Sequence, residues 1–174
     1  MTIGHSIHPI EEFLGLLVAH GVRILVDVRT VPRSRRNPQF NSDALRASLE
    51  GVGIHYVHMP GLGGLRRPRP DSENTGWRNA SFRGYADYMQ TADFDARLRE
   101  LIEIAEQGST TIMCAEAVPW RCHRSLIADA LVVRGIRVEH IISRAERTLH
   151  RVTPWATVDG DVMRYHNSIE SRKS

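Results

Sequence analysis

Four times in this chain a stretch with helical periodicity runs into a glycine and then into a short β-branched segment, and that alternation restricts the fold more than any other feature. The glycines are Gly21, Gly53, Gly108 and Gly135, each standing where a helix would close on a left-handed cap. The segments behind them, 23–28, 54–59, 110–114 and 136–142, are rich in Val and Ile and too apolar for a sheet with one wet face. They predict buried parallel strands.

The intervening segments carry apolar residues at helical spacing. Phe13, Leu14, Leu17 and Val18 form one face behind Pro9, a residue suited to a first helical position, and Glu11 and Glu12 complement the dipole there. Leu45, Leu49 and Val52 mark a second helix. Phe94, Leu98, Leu101, Ile102 and Ala105 mark a longer one entered through Asp93 as its cap, and Cys122, Leu126, Ala130 and Leu131 mark the last. With 1–4 as an opening strand, the order predicts a single α/β domain over 1–174. It has three layers, with a mainly parallel sheet of about five strands, helices on both faces and right-handed crossovers.

At 174 residues the chain is long enough for one sizeable core. Its apolar runs are too short to span a bilayer, and no basic start followed by a long apolar stretch marks a secretory signal, so a cytoplasmic protein with no membrane partner is expected. Cys114 and Cys122 are too few for a disulfide framework and are expected as free thiols. Lys173 is the sole lysine among 23 basic residues, so the basic charge is almost entirely guanidinium.

Two long irregular stretches, 29–41 and 60–81, follow predicted strands. They therefore lie at the carboxyl edge of the sheet, where open α/β folds place ligands. The first begins with Arg29, Arg33, Arg35 and Arg36 and the second carries Arg66, Arg67 and Arg69, with no acid among them up to Pro70. Arg121, His123 and Arg124 follow the fourth strand. Converging guanidinium groups favour phosphate, carboxylate or nucleic acid, because the planar fork bonds oxyanions bidentately. Solvated surface arginines are the alternative reading.

Residues 114–124 read Cys-Ala-Glu-Ala-Val-Pro-Trp-Arg-Cys-His-Arg. Cys114 is expected at a strand tip, and Cys122 and His123 in the first helical turn, where the dipole and the arginines lower a thiol pKa. Three uses stay open. In the first, a cysteine serves as nucleophile or sulfur carrier with Glu116 and His123 moving protons. In the second, Cys114, Cys122 and His123, joined by a histidine such as His5, hold a metal. Or both cysteines are small core residues and Glu116 pairs with Arg124 structurally. His5, Ser6, Asp27 and Arg29 close the first two strands and face the same crevice. His55 and His58 flank Tyr56 and are expected to pack on one sheet face. Gly63 and Gly64 permit close backbone approach, and Trp77, Phe82 and Tyr85 beside Arg78 and Arg83 can stack on bases or close a lid.

Taken in order, Thr2-Ile3-Gly4-His5-Ser6, Asp27-Val28-Arg29, Pro32 with Ser34-Arg35, Phe40-Asn41, Leu62-Gly63-Gly64, Phe82-Arg83-Gly84-Tyr85, Cys114-Ala115-Glu116 and Cys122-His123-Arg124 resemble the bacterial family of domain of unknown function 488. The resemblance covers about 2–141 and leaves 143–174 as an extension, in which His150 or Trp155 are candidates to cover the site. It implies no established reaction. A weaker similarity, at the level of fold, is to rhodanese-like domains, which also pair an Asp-Val-Arg strand end with a cysteine at a later strand tip.

These readings lead to an expected enzyme acting on a phosphate-bearing ligand, a nucleotide or nucleic acid. Cys114, Glu116, Cys122, His123, His5 and Asp27 would form its catalytic group. Ser6, Arg29, Ser34, Arg35, Gly63, Gly64, Arg83, Tyr85, Arg121 and Arg124 would bind the ligand. The alternatives are a non-catalytic nucleic-acid or nucleotide binding module and a Cys/His metal-binding protein. Neither a cofactor nor an oligomeric state is legible.

Overall fold

The computed structural model describes residues 1–166. Strands β1 (Thr2–Gly4), β2 (Ile24–Asp27), β3 (His55–His58), β4 (Thr110–Cys114), β5 (Glu139–Ile141) and β6 (Arg147–Leu149) form a six-stranded sheet in the order β3-β2-β4-β1-β5-β6. The first five run parallel, and β6 adds an antiparallel edge through Glu139 opposite Leu149. The sheet is thus one strand wider than the sequence suggests. That strand comes from the extension, where alternation is too brief to read.

Alternate strand residues feed two cores. Leu25, Tyr56 and Met113 point to α1 (Ile10–Ala19) and α2 (Ser42–Glu50), packing with Phe13, Leu17, Leu45 and Leu49. Ile24, Val26 and Ile112 point the other way, to α3 (Ala80–Tyr88), α4 (Ala92–Glu106) and α5 (Arg124–Val133), packing with Tyr85, Leu98 and Leu126. These are the three layers expected from buried parallel strands. His55 and His58 do not share a face: a spacing of three puts them on opposite sides of β3. His55 is exposed, whereas His58 Nε2–H donates to the Arg29 carbonyl at 2.9 Å and braces the loop after β2.

Local signals explain most helix ends. Gly21, Gly53 and Gly135 adopt φ of 63°, 74° and 78°, the left-handed region that glycine enters without a Cβ penalty. Gly108 does not, because α4 closes two residues earlier through a right-handed Gln107. The cap of α4 is Thr91, whose hydroxyl accepts from Phe94 N–H. Asp93 lies inside the first turn and accepts from the Tyr88 hydroxyl at 2.7 Å. Helix α3 begins at the end of a stretch that reads as irregular. Asn79 caps it, accepting from the Ser81 and Phe82 amides, and Gly84 lets it touch the 66–68 backbone. α5 starts at Arg124, later than expected, after a 3₁₀ turn at Pro119–Arg121.

A buried carboxylate ties the C-terminal part to the sheet. Asp129 on α5 accepts from His150 Nε2–H at 2.7 Å, from the Thr153 amide and hydroxyl, and from the Tyr165 hydroxyl at 2.9 Å. Tyr165 lies on β8 (Val162–Tyr165), which forms a hairpin with β7 (Ala156–Asp159). His150 is therefore part of the internal scaffold rather than a cover for the crevice, and Trp155 packs on Trp77 at 5.4 Å. Residues 167–174 of the extension lie outside the described residues.

The relay continues to β5 and β1. His140 Nε2–H donates to His150 Nδ1 at 2.9 Å, and the Thr2 hydroxyl donates to His140 Nδ1 at 2.7 Å, so the His140 ring works as a neutral imidazole. Burial first, then its neighbours His150, Arg124 and the N-terminus, push His140 down to about 4. An unfolded histidine titrates near 6.5, so only the unfolded chain takes up this proton as pH falls from there toward about 4. Stability is full above pH 6.5 and should fall by about 2–3 kcal/mol on reaching pH 4 through this group alone. Urea unfolding at pH 7 and pH 4.5 checks it: the drop should shrink in His140→Asn, and an equal drop in both proteins would refute it.

Candidate active site

The strand order places the crevice. The connection after β1 passes to the α1 face and the connection after β4 passes to the α5 face, so the two loops part between neighbouring strands. Such a topological switch point opens a cleft beyond the carboxyl ends. A cavity of about 730 Å³ lies there, lined by His5, Ser6, Arg29, Arg33, Ser34, Gly64, Phe82, Cys114, Glu116, Arg121, Cys122 and His123, together with Ile7, Thr30, Val31, Asn37, Leu65, Ser81, Ala115 and Ala117.

One wall is a buried ionic chain. Asp27 Oδ1 accepts from the Arg29 amide at 3.1 Å and from its Nε–H at 2.9 Å. Oδ2 accepts from Arg29 Nη2–H and from the Tyr56 hydroxyl at 2.8 Å. Arg29 also donates to the Phe40 carbonyl at 2.8 Å and, through Nη1, to His5 Nε2 at 3.2 Å. His5 Nδ1–H in turn donates to the Ser6 carbonyl at 2.9 Å, and its ring stacks on Phe40 at 4.2 Å. Burial, with the adjacent Arg29 charge, lowers the His5 pKa, so this ring is neutral. Burial also works against the Arg29 charge, but the Asp27 carboxylate more than offsets it. Ser6 holds a φ of 48°, a left-handed conformation uncommon outside glycine, pinned by its amide on the Ala115 carbonyl at 2.9 Å.

The opposite wall is the sulfur cluster. His123 Nε2–H donates to the Val28 carbonyl at 3.2 Å, which leaves the Nδ1 lone pair facing Cys122 Sγ at 3.7 Å and Cys114 Sγ at 3.9 Å. Tyr85 flanks the imidazole at 5.1 Å between ring centres, and a Cβ at Gly64 would come 2.5 Å from Nδ1. The hydrogen bond with Cys122, against the cost of burial, lowers Cys114 to about 4. Cys122 is pushed up by the same hydrogen bond, by burial and by the charge on Cys114, so the two thiols titrate as one coupled pair with Cys114 the more acidic. These three side chains are the group among the described residues with metal-ligand spacing.

Several expected ligand residues lie elsewhere. Arg124 is 1 % exposed and sits behind the crevice wall, with Nη2–H donating to the Ala117 carbonyl at 2.7 Å and Nε and Nη1 without partners. It does not line the cavity, and it makes no ion pair with Glu116, which is exposed and accepts from the Val118 amide. Arg35 is exposed outside the lining, and Arg33 takes the place on the crevice that was expected of it. Arg83 does not line the cavity. Gly63 is buried against Thr30, and Tyr85 is buried with its hydroxyl donating to the Leu62 carbonyl. Asp27 orients Arg29 and does not reach the cavity. Trp77 packs among Phe82, Trp155 and Tyr165, leaving Phe82 as the aromatic residue of that group at the crevice. Ser34 does line it and braces its own loop by accepting from the Asn37 amide.

Sequence reading passed over the parts that hold the site together: the Val28 carbonyl, the Phe40 ring and carbonyl, and the Tyr56 hydroxyl. Backbone acceptors leave no residue signature, whereas Tyr56 one strand away from Asp27 was legible in principle.

Fold and site together define an α/β protein with an arginine-lined crevice that carries a Cys–Cys–His cluster. The profile of the family described as domain of unknown function DUF488 matches residues 9–131, well over half the chain, and the protein belongs to that family. The match begins after the His5 strand, which the motifs had included. No curated protein and no solved structure matches the chain, and the rhodanese-like similarity is not shown. No helix among the described residues is long and apolar enough to cross a membrane.

Proposed function

We propose that this protein is an enzyme that takes a phosphate-bearing ligand, a nucleotide or the end of a nucleic acid, into the crevice and acts on it at the Cys114 cluster. The observation that carries the reading is that Arg29, Arg33 and Arg121 line the same 730 Å³ cavity as Cys114 and His123, with Glu116 as the acid among the lining residues. A cavity of this volume suits a nucleotide-sized molecule.

The roles follow from mobility and burial. Arg29, locked by Asp27, is a fixed charge on the wall, and a preorganised guanidinium loses little on binding an oxyanion. Arg33 and Arg121 are exposed and close on the ligand from the loops. Neutral His5 presents its ring beside Arg29. Glu116, without an ion pair among the described residues, would move a proton at the rim.

Assays of phosphomonoesters, nucleotides and short oligonucleotides against the purified protein test this reading. The Arg33→Ala/Arg121→Ala double variant should weaken ligand binding by about 10–100-fold, the loss of two charge-assisted contacts at about 0.7–1.4 kcal/mol each after solvent screening. Cys114→Ser should keep binding and abolish turnover. Binding that falls with salt but never leads to turnover would favour a non-catalytic binding module. No binding of any such anion to the wild type would end the proposal.

A further inference from the structure

The atoms at the crevice floor satisfy the geometry of a metal centre. A tetrahedral ion with bonds of about 2.3 Å to sulfur and about 2.0 Å to nitrogen holds those ligands about 3.6 Å apart. Cys122 Sγ and Cys114 Sγ stand 3.7 and 3.9 Å from His123 Nδ1, and all three ligand atoms lie within 4.8 Å of one another. The two sulfur–nitrogen distances miss by a few tenths of an ångström, within small side-chain rotations, and the sulfur–sulfur pair, also within 4.8 Å, needs to close by about 1 Å at most.

The second observation is independent of those distances. A ligating histidine almost always donates its other ring N–H to a carbonyl or carboxylate, which sets the tautomer and aims the lone pair. His123 does so through Nε2–H to the Val28 carbonyl on β2, a residue from another part of the chain. Its ring is confined between Tyr85 and Gly64, where even a methyl group would intrude. The imidazole is therefore oriented in advance.

We infer that Cys114, Cys122 and His123 form a three-ligand site for a thiophilic divalent cation of the zinc class, with its fourth coordination position open to the arginine-lined crevice. Two thiolates and one imidazole select a soft or borderline ion over magnesium or calcium. No fourth His, Cys, Asp or Glu among the described residues joins the cluster. His5, the fourth ligand suggested by the sequence, is engaged by Arg29 and the Ser6 carbonyl. Three protein ligands with an open position are the arrangement of catalytic rather than structural zinc, and such an ion acidifies the water it binds. Only the catalytic use of the open position rests on the crevice being the site of an anionic ligand. It assigns Cys114 the work of a ligand, with the bound water in place of sulfur as the reactive group.

Elemental analysis of protein purified under reducing conditions without chelators, and titration of the metal-free wild type with zinc against a chromophoric competitor, test it. One zinc per chain is expected. Cobalt should give intense visible bands of a tetrahedral ion and sulfur-to-cobalt charge transfer in the near ultraviolet. Cys114→Ser, Cys122→Ser and His123→Ala should each weaken zinc by more than the roughly 10–100-fold that loss of an outer-shell partner costs. Folding of each variant is checked by circular dichroism, and the cobalt spectrum of the wild type decides the matter if a variant fails to fold. Reduced wild type that binds zinc no more tightly than Cys114→Ser/Cys122→Ser and gives no charge-transfer band would overturn the inference. If that metal-free protein still turns over an anionic ligand, the functional proposal stands without the metal. If zinc binds but no anion does, the metal centre stands and the functional proposal fails.

Discussion

Asp27→Ala should destabilise the protein by about 3–5 kcal/mol, the cost of stranding a buried charge. Asp27 is fully buried and Arg29 nearly so, and the carboxylate receives three bonds from Arg29 and one from Tyr56. Removing it leaves a guanidinium with the Phe40 carbonyl and a neutral His5 as its partners, in a place from which it cannot reach water without opening the wall. Tyr56→Phe, which deletes one hydrogen bond and leaves the charge pair intact, should cost only about 1 kcal/mol. Guanidinium unfolding of the two variants side by side measures the contrast. Equal losses would mean that the ion pair does not hold this wall together. The same comparison bears on function, because Asp27 does not line the crevice and would act there only through the guanidinium it aims.

Gly4→Ala should be almost as damaging, at about 3 kcal/mol, the upper end of ordinary overpacking. A Cβ at residue 4 would overlap the Glu116 carbonyl oxygen and come 2.7 Å from Arg124 Nη1. Both neighbours are hard to displace, since one is backbone and the other is a buried guanidinium bonded to Ala117. Gly21→Ala is the control. Nothing lies within 4 Å of a Cβ there, so its left-handed φ of 63° alone should cost about 1–2 kcal/mol. Thiol titration of the Gly4 variant should also show altered Cys114 reactivity, because β1 and the segment after Cys114 are in contact at Ser6 and Ala115. A Gly4→Ala variant as stable as wild type would mean that the loop carrying Glu116 yields freely.

The layered fold was legible because parallel strands buried on both faces must be apolar throughout, and Val26, Val57 and Ile112 sit in such runs. Helix α3 was less legible. Its buried face is made of Gly84, Tyr85, Ala86, Asp87 and Tyr88, and the polar Asp87 is buried only because Ser72, Asn74 and the Arg69 amide satisfy it from the preceding loop. That compensation is tertiary and has no local signature. Strand β6 and the final hairpin escaped notice for a related reason: Asp129 on α5, His150 just after β6 and Tyr165 on β8 meet only in the folded chain.

The same division runs through the site. Sequence alone determined that Cys114, His5 and Arg29 end parallel strands, and parallel strands in one sheet carry their carboxyl ends to one edge, so the crevice and its residue types followed from order and periodicity. It could not say which arginines face that crevice. Arg33 does and Arg124 does not, because a guanidinium's position depends on the acceptors it finds, and Arg124 finds the Ala117 carbonyl behind the wall. Nor could it show that His123 turns one nitrogen to β2 and the other to two sulfurs. That orientation is set by a carbonyl ninety-five residues away, a partner that only the folded chain brings within reach.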